Sequence, residues 1–123
     1  MPLPLFAAKE HQRGFNQAAV LCNGIAAVLQ KPVLQKSVIR TTYTESQTRK
    51  SRVERWQNME GRFDVCDEKS LAGKHLLLVD DVVTTGATLE ACGRALLSVA
   101  GVQLSIATLC RHRCAGAPAA VCC

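Results

Sequence analysis

The stretch Leu76-Leu-Leu-Val-Asp-Asp-Val-Val-Thr-Thr-Gly-Ala-Thr88 holds the residue types best suited to chemistry. An apolar run ends in two adjacent carboxylates, Asp80 and Asp81, and is followed by Thr84, Thr85, Gly86, Ala87 and Thr88. Where such a loop opens a helix, its hydroxyls and free backbone N–H groups suit a phosphate, and Gly86 lets the backbone approach closely. Two carboxylates would repel that phosphate. Their natural partners are sugar hydroxyls or a divalent cation, so a phosphorylated sugar with Mg2+ satisfies both halves of the string. The plain structural alternative is a strand end followed by an ordinary helix cap. Neither Gly-x-x-x-x-Gly-Lys nor Gly-x-Gly-x-x-Gly is present here, which sets aside a Walker loop and a dinucleotide fingerprint.

The elements that must position this loop follow from periodicity. Pro2 to Leu5 reads as the end of a short strand, Lys9 to Arg13 as a polar stretch, and Gly14 as a turn. Asn16 is placed to cap a helix over Ala18 to Leu29, where Val20, Leu21, Ile25, Val28 and Leu29 recur at helical spacing and Pro32 lies just beyond. Val33 to Ile39 is β-prone, Arg40 to Asn58 is strongly polar, and Arg62 to Cys66 reads as a short strand. Leu71 to Lys74 reads as a turn into the apolar run His75 to Val79. A helix from about Leu89 to Val99, a stop at Gly101 and a strand from Val102 to Leu109 complete a strand, loop, helix, strand unit. Apolar strands alternating with helices predict an α/β fold with a parallel sheet covered on both faces, its ligand site at the carboxyl ends of the strands.

The string from Val79 to Thr88 resembles the phosphoribosyl pyrophosphate (PRPP) signature of type I phosphoribosyltransferases. Pro2-Leu-Pro-Leu5, Arg13-Gly-Phe-Asn-Gln17, Ser46-Gln47, Arg55, Asn58 and Phe63 extend the resemblance to the ComF family, phosphoribosyltransferase-like proteins associated with competence and DNA uptake. The resemblance implies a type I phosphoribosyltransferase-like domain over residues 1–110, with a polar flap at about 40–60, and a poorly ordered tail at 111–123. It implies that Thr84, Thr85, Gly86, Ala87 and Thr88 hold the 5-phosphate. Asp80 and Asp81, the catalytic pair, would hold the ribose hydroxyls on which Mg2+ also leans, and Arg13-Gly14 would form the pyrophosphate loop. Gln47, Arg49, Lys50, Arg52 and Arg55 fall in the region that closes as a mobile flap in these transferases. For any one of those cations, a solvated surface is the competing reading.

The implied chemistry is transfer of ribose 5-phosphate from PRPP to a nitrogenous acceptor, with release of pyrophosphate. Purine-salvage relatives of the hypoxanthine type carry an aspartate where this chain has Thr84, and threonine is a poor general base at neutral pH. An acceptor bringing its own nucleophile, or a non-catalytic competence component that binds a ribosyl phosphate or single-stranded DNA, both accommodate Thr84. In the ComF family a cysteine-rich zinc ribbon precedes the core, and the resemblance implies that this ribbon and a leading helix are missing from the 123 residues, leaving an N-terminally incomplete fold.

Composition frames these readings. The chain carries a net charge of +5, unevenly spread: residues 1–62 hold ten Lys/Arg against four Asp/Glu, and residues 63–123 hold five against six. The basic half suits an anionic partner, whether nucleic acid or a phosphate-rich small molecule. No apolar run approaches the roughly 20 residues that span a bilayer, and Met-Pro-Leu-Pro-Leu-Phe does not read as a signal peptide. Seven cysteines, an odd number without framework spacing, point to reduced thiols in a cytoplasmic protein. Cys22 and Cys92 read as buried apolar residues within helices. Cys110 to Cys123 lacks the paired knuckles of a zinc site. A second copy of the chain is an expected partner for any sheet face left exposed.

Overall fold

The computed structural model describes residues 1–41 and 62–111. Its centre is β3 (His75–Val83), whose Leu76, Leu78 and Val79 are buried. Such a run can bury both faces only if its backbone groups are paired on each side. On one edge β3 pairs in parallel with β4 (Gln103–Arg111), from His75 opposite Gln103 to Val83 opposite Arg111, and Asp81 is the residue this register omits. On the other edge the N-terminal segment runs alongside: Val79 N donates to Met1 O at 3.0 Å and Leu3 N to Val79 O at 2.8 Å. The strand expected at Pro2 to Leu5 is thus a single parallel bridge, Pro2 to Val79, consistent with a proline that has no N–H to extend the ladder.

Helices α1 (Ala7–Arg13) and α2 (Gln17–Leu29) follow, then the strands β1 (Val38–Thr41) and β2 (Arg62–Val65), the short α3 (Glu68–Leu71), and, after β3, α4 (Ala87–Leu97) leading to β4. Asn16 caps α2 as the sequence suggests, its Oδ1 accepting from Ala18 N at 2.9 Å. The polar stretch Lys9 to Arg13 is helical, and Leu71 closes α3, where Asp67 Oδ1 accepts from Ser70 N, rather than starting a turn. The fully buried side chains Leu71, Leu78, Leu96, Val38 and Cys92 form the centre of the core, joined by Phe63 of β2 and Leu89 of α4.

Two expectations about strands are corrected. Of the strand expected over Val33 to Ile39, only Val38 and Ile39 are strand, in β1. Leu34 turns against the core, regular pairing starts only after Ser37 O accepts from Cys66 N at 2.8 Å, and β1 and β2 make a separate antiparallel ribbon. Among the described residues, the parallel sheet is also not covered on both faces throughout. Leu104 is tucked under α4, where a Cβ on Gly93 would lie 3.2 Å from Leu104 Cδ2, but Ile106 and Leu109 are exposed. Cys110 and Arg111 complete β4, so Arg111 does not belong to the tail expected at 111–123, and residues 112–123 lie outside the described residues.

Candidate functional site

The sequence placed Asp80 and Asp81 at the carboxyl end of an apolar strand, and β3 runs through them to Val83. Alternation along a strand sends the two carboxylates to opposite faces, Asp80 with Leu78 and Asp81 with Val79. Each is oriented by the next backbone amide: Asp81 N donates to Asp80 Oδ1, and Val82 N to Asp81 Oδ1, both at 2.9 Å. Burial pushes the Asp80 carboxyl above its ordinary value, and the neighbouring Asp81 adds to the rise, while the Asp81 amide and the positive charge of Arg40 oppose it. The pair is therefore held in place at an electrostatic cost, an arrangement that a cation or hydroxyl donors would relieve.

Beyond Val83 the chain turns through Thr84 and Thr85, both exposed, to Gly86, the N-cap of α4. Gly86 has φ 86° and ψ −7°, in the left-handed region, and a Cβ built there would meet nothing within 4 Å. Thr85 Oγ1 accepts from Ala87 N at 3.4 Å, and Glu90 N donates to Gly86 O as the first helical turn closes. Space thus opens at the Gly86 Cβ position, at the N-terminus of an 11-residue helix whose Ala87 N–H is turned to the Thr85 hydroxyl.

The loop Arg13-Gly14 is brought to the same end of the sheet. Leu3 lies beside Val79, one residue before Asp80, and Asn16 Nδ2 donates to Leu3 O at 3.0 Å, which ties the α1–α2 connection to that strand end. Gly14 closes α1 by donating to Glu10 O, and the exposed Arg13 donates to Gln17 Oε1 at 3.2 Å. Gln47, Arg49, Lys50, Arg52 and Arg55, with Trp56, lie outside the described residues.

Arg40 is the residue the sequence did not single out. On β1 it pairs across from Phe63, and its Cζ lies 4.0 Å from the centroid of the Phe6 ring and 5.4 Å from that of Phe63. Its charge bears on Cys92 as well as Asp80, although burial still drives the Cys92 thiol up to about 12. Cys22 and Cys92 are buried as expected, and neither has the exposure a reactive thiol needs. His75, for which the sequence offers no partner, has its Nε2 2.9 Å from Ser105 Oγ. A cavity of about 420 Å³ lies elsewhere, between α2 and the first half of β3, lined by Cys22, Ile25, Leu29, Leu34 and Leu76 and without a residue of the acidic loop.

Residues 12–120 match the model of the phosphoribosyl transferase domain family. The chain belongs to this family. Its α/β architecture, with the acidic strand end and Thr/Gly loop of the parallel unit β3–α4–β4, is the type I phosphoribosyltransferase-like fold. Within the family it groups with ComF-like proteins. It is 33% identical over 109 residues to the DNA utilization protein YhgH of Escherichia coli, covering 89% of this chain and 47% of that protein. It is 35% identical over 104 residues to Competence protein F of Haemophilus influenzae, covering 84% and 45%. Against Competence protein ComFC of Bacillus subtilis it is 35% identical over 97 residues, covering 79% and 37%. This phosphoribosyl transferase domain therefore spans less than half the length of the curated relatives it matches. No helix among its described residues is long and apolar enough to cross a membrane.

Proposed function

We propose that this domain binds PRPP and transfers its ribose 5-phosphate to a nitrogenous acceptor, releasing pyrophosphate. The observation that carries the reading is the acidic end of β3 running directly into a left-handed Gly86 and the open first turn of α4. Thr84, Thr85, Gly86, Ala87 and Thr88 would hold the 5-phosphate, Asp80 and Asp81 the ribose hydroxyls, and Arg13-Gly14 the pyrophosphate.

Among the described residues no three His, Cys, Asp or Glu side chains gather into a metal site. Two carboxylates beside a polyphosphate ligand are nonetheless the donor set by which Mg2+ is ordinarily held, so Asp80 and Asp81 fit it as outer support. When bound, Mg2+ would supply charge neutralisation for the leaving pyrophosphate. The chain itself has to orient the ribose, cradle the phosphate and keep water from the anomeric carbon, which becomes oxocarbenium-like as the bond to pyrophosphate breaks. No nucleophilic side chain is required, and Thr84 leaves proton removal to the acceptor.

A second reading, a non-catalytic role in DNA handling, is favoured by the names of the relatives and by the basic first half of the chain. Single-stranded DNA would then be the ligand. Titration with PRPP and Mg2+ tests the first reading. Binding should vanish with EDTA and in the double variant Asp80→Ala, Asp81→Ala, and unchanged affinity in that variant overturns it. Pyrophosphate release from PRPP against a panel of bases and amines, set beside salt-dependent binding of single-stranded DNA, separates the two readings.

A further inference from the structure

The ribbon β1–β2 carries its side chains inside out at one position. Val38 and Arg40 share the inward face, with Val38 buried in the core, while Ile39 between them is 45% exposed. A two-stranded ribbon built for packing alone would place the isoleucine inside and the arginine outside. An inward arginine on so short a ribbon forfeits apolar burial and has to be held by something. Two aromatic faces lie against its guanidinium: Phe63, its cross-strand partner and itself buried, and Phe6, which belongs to a different part of the chain. The 4.0 Å separation from the Phe6 ring is well within the range of a cation–π contact.

Phe6 is the N-cap residue of α1, and its carbonyl accepts from Glu10 N. Helix α1 ends at Arg13-Gly14, the loop assigned above to the pyrophosphate. The far end of that loop is fastened by Asn16 to Leu3 O. The Arg40–Phe6 contact therefore fixes the near end of a helix whose other end is anchored separately, and together the two contacts set where Arg13 and the loop amides stand relative to Asp80.

We infer that Arg40 is a positioning residue: clamped between Phe6 and Phe63, it fastens α1 to the β1–β2 ribbon and so holds the Arg13-Gly14 loop ready for the pyrophosphate group of the ligand. This inference rests on the phosphoribosyl reading of the site. It predicts an effect confined to one half of the ligand, because the phosphate loop Thr84 to Thr88 is carried by β3 and α4 and does not depend on α1.

The test compares two probes in the presence of Mg2+, PRPP and ribose 5-phosphate, which differ only in the pyrophosphate. They are titrated into the wild type and the Arg40→Met, Arg40→Lys and Phe6→Leu variants, with thermal melts recorded in parallel. The expected result is a loss of PRPP affinity of about tenfold in Arg40→Met and in Phe6→Leu. Arg40→Lys, which keeps the charge that bears on Asp80, should show a smaller loss, and ribose 5-phosphate should bind Arg40→Lys and Phe6→Leu within about twofold of wild type. Should Arg40→Met fail to fold, Phe6→Leu, which leaves the arginine in place and removes only the upper ring, decides the matter alone. In Phe6→Leu, equal losses for both probes or undiminished PRPP binding overturn the positioning role while leaving the phosphoribosyl reading intact. A wild type that binds neither probe overturns that reading itself, and the positioning role with it.

Discussion

Replacing Gly86 by alanine separates the backbone geometry of the loop from its binding role. Gly86 sits at φ 86°, where an L-residue pays about 1–2 kcal/mol because its Cβ crowds the following carbonyl. The added methyl meets nothing within 4 Å, so strain is the whole cost of the change in the free protein. For a chain of 123 residues that corresponds to a fall in Tm of about 4–8 °C. The open space is the space assigned to the phosphate. A methyl group there holds the anion away from the first-turn amides, and losing one charge-assisted hydrogen bond of about 1.5–3 kcal/mol weakens binding by roughly 10–100-fold. Gly101→Ala is the matched control. Gly101 has a similar φ of 72°, but its Cβ would lie 3.1 Å from the Gly73 backbone, far in sequence from the loop. That variant should lose at least as much stability as Gly86→Ala and retain its affinity for ribose 5-phosphate. Thermal melts and titration with ribose 5-phosphate measure both quantities on the same samples. If Gly86→Ala binds as tightly as wild type, or if the two variants lose affinity in parallel, the loop is not a phosphate cradle and the reasoning fails.

Two further perturbations bear on the acidic strand and the core. The fold raises the Asp80 carboxyl above its ordinary value of 3.8, so the protonated form is the one it favours: that contribution to stability is fully present below pH 3.8 and is lost as the pH rises through the raised value. Asp80→Asn should accordingly raise the Tm of the ligand-free protein at pH 7, with a gain that shrinks as the pH falls toward 3.8, while PRPP binding is lost. A variant that melts below wild type at pH 7 contradicts this assignment. Leu96, fully buried near the C-terminal end of α4, should cost about 2–5 kcal/mol when truncated to alanine, read from urea unfolding, and a cost under about 1 kcal/mol would show that α4 is not packed as described.

Much of the site is readable in the sequence because it is contiguous. An apolar strand, two carboxylates, a Thr/Gly loop and a helix follow one another within 14 residues of chain, from Leu76 to Leu89, so local periodicity and turn chemistry suffice to assemble them. The Asn16 cap and the burial of Cys22 and Cys92 are local in the same sense. The misplaced elements are those whose state depends on a distant partner. Val33 to Ile39 has the composition of a strand, but pairing starts only where Cys66 and the residues of β2 supply hydrogen-bonding partners, and the result is an antiparallel ribbon. β4 is apolar enough to read as a fully covered strand, yet α4 reaches it chiefly at Leu104.

The make-up of the candidate site was thus determined by the sequence alone, since adjacent residues on one strand–loop–helix unit must stand together however the rest folds. What tertiary structure decided is how that unit is framed. The Arg13-Gly14 loop reaches the strand end because Asn16 bonds to Leu3 and Leu3 pairs with Val79, and the inward Arg40 meets Phe6 and Phe63, which converge on it from separate parts of the chain. The alternation Val38-Ile39-Arg40 by itself favours Ile39 inside, and packing chooses the other face. That choice places a cation where the linear pattern shows only the start of a polar stretch.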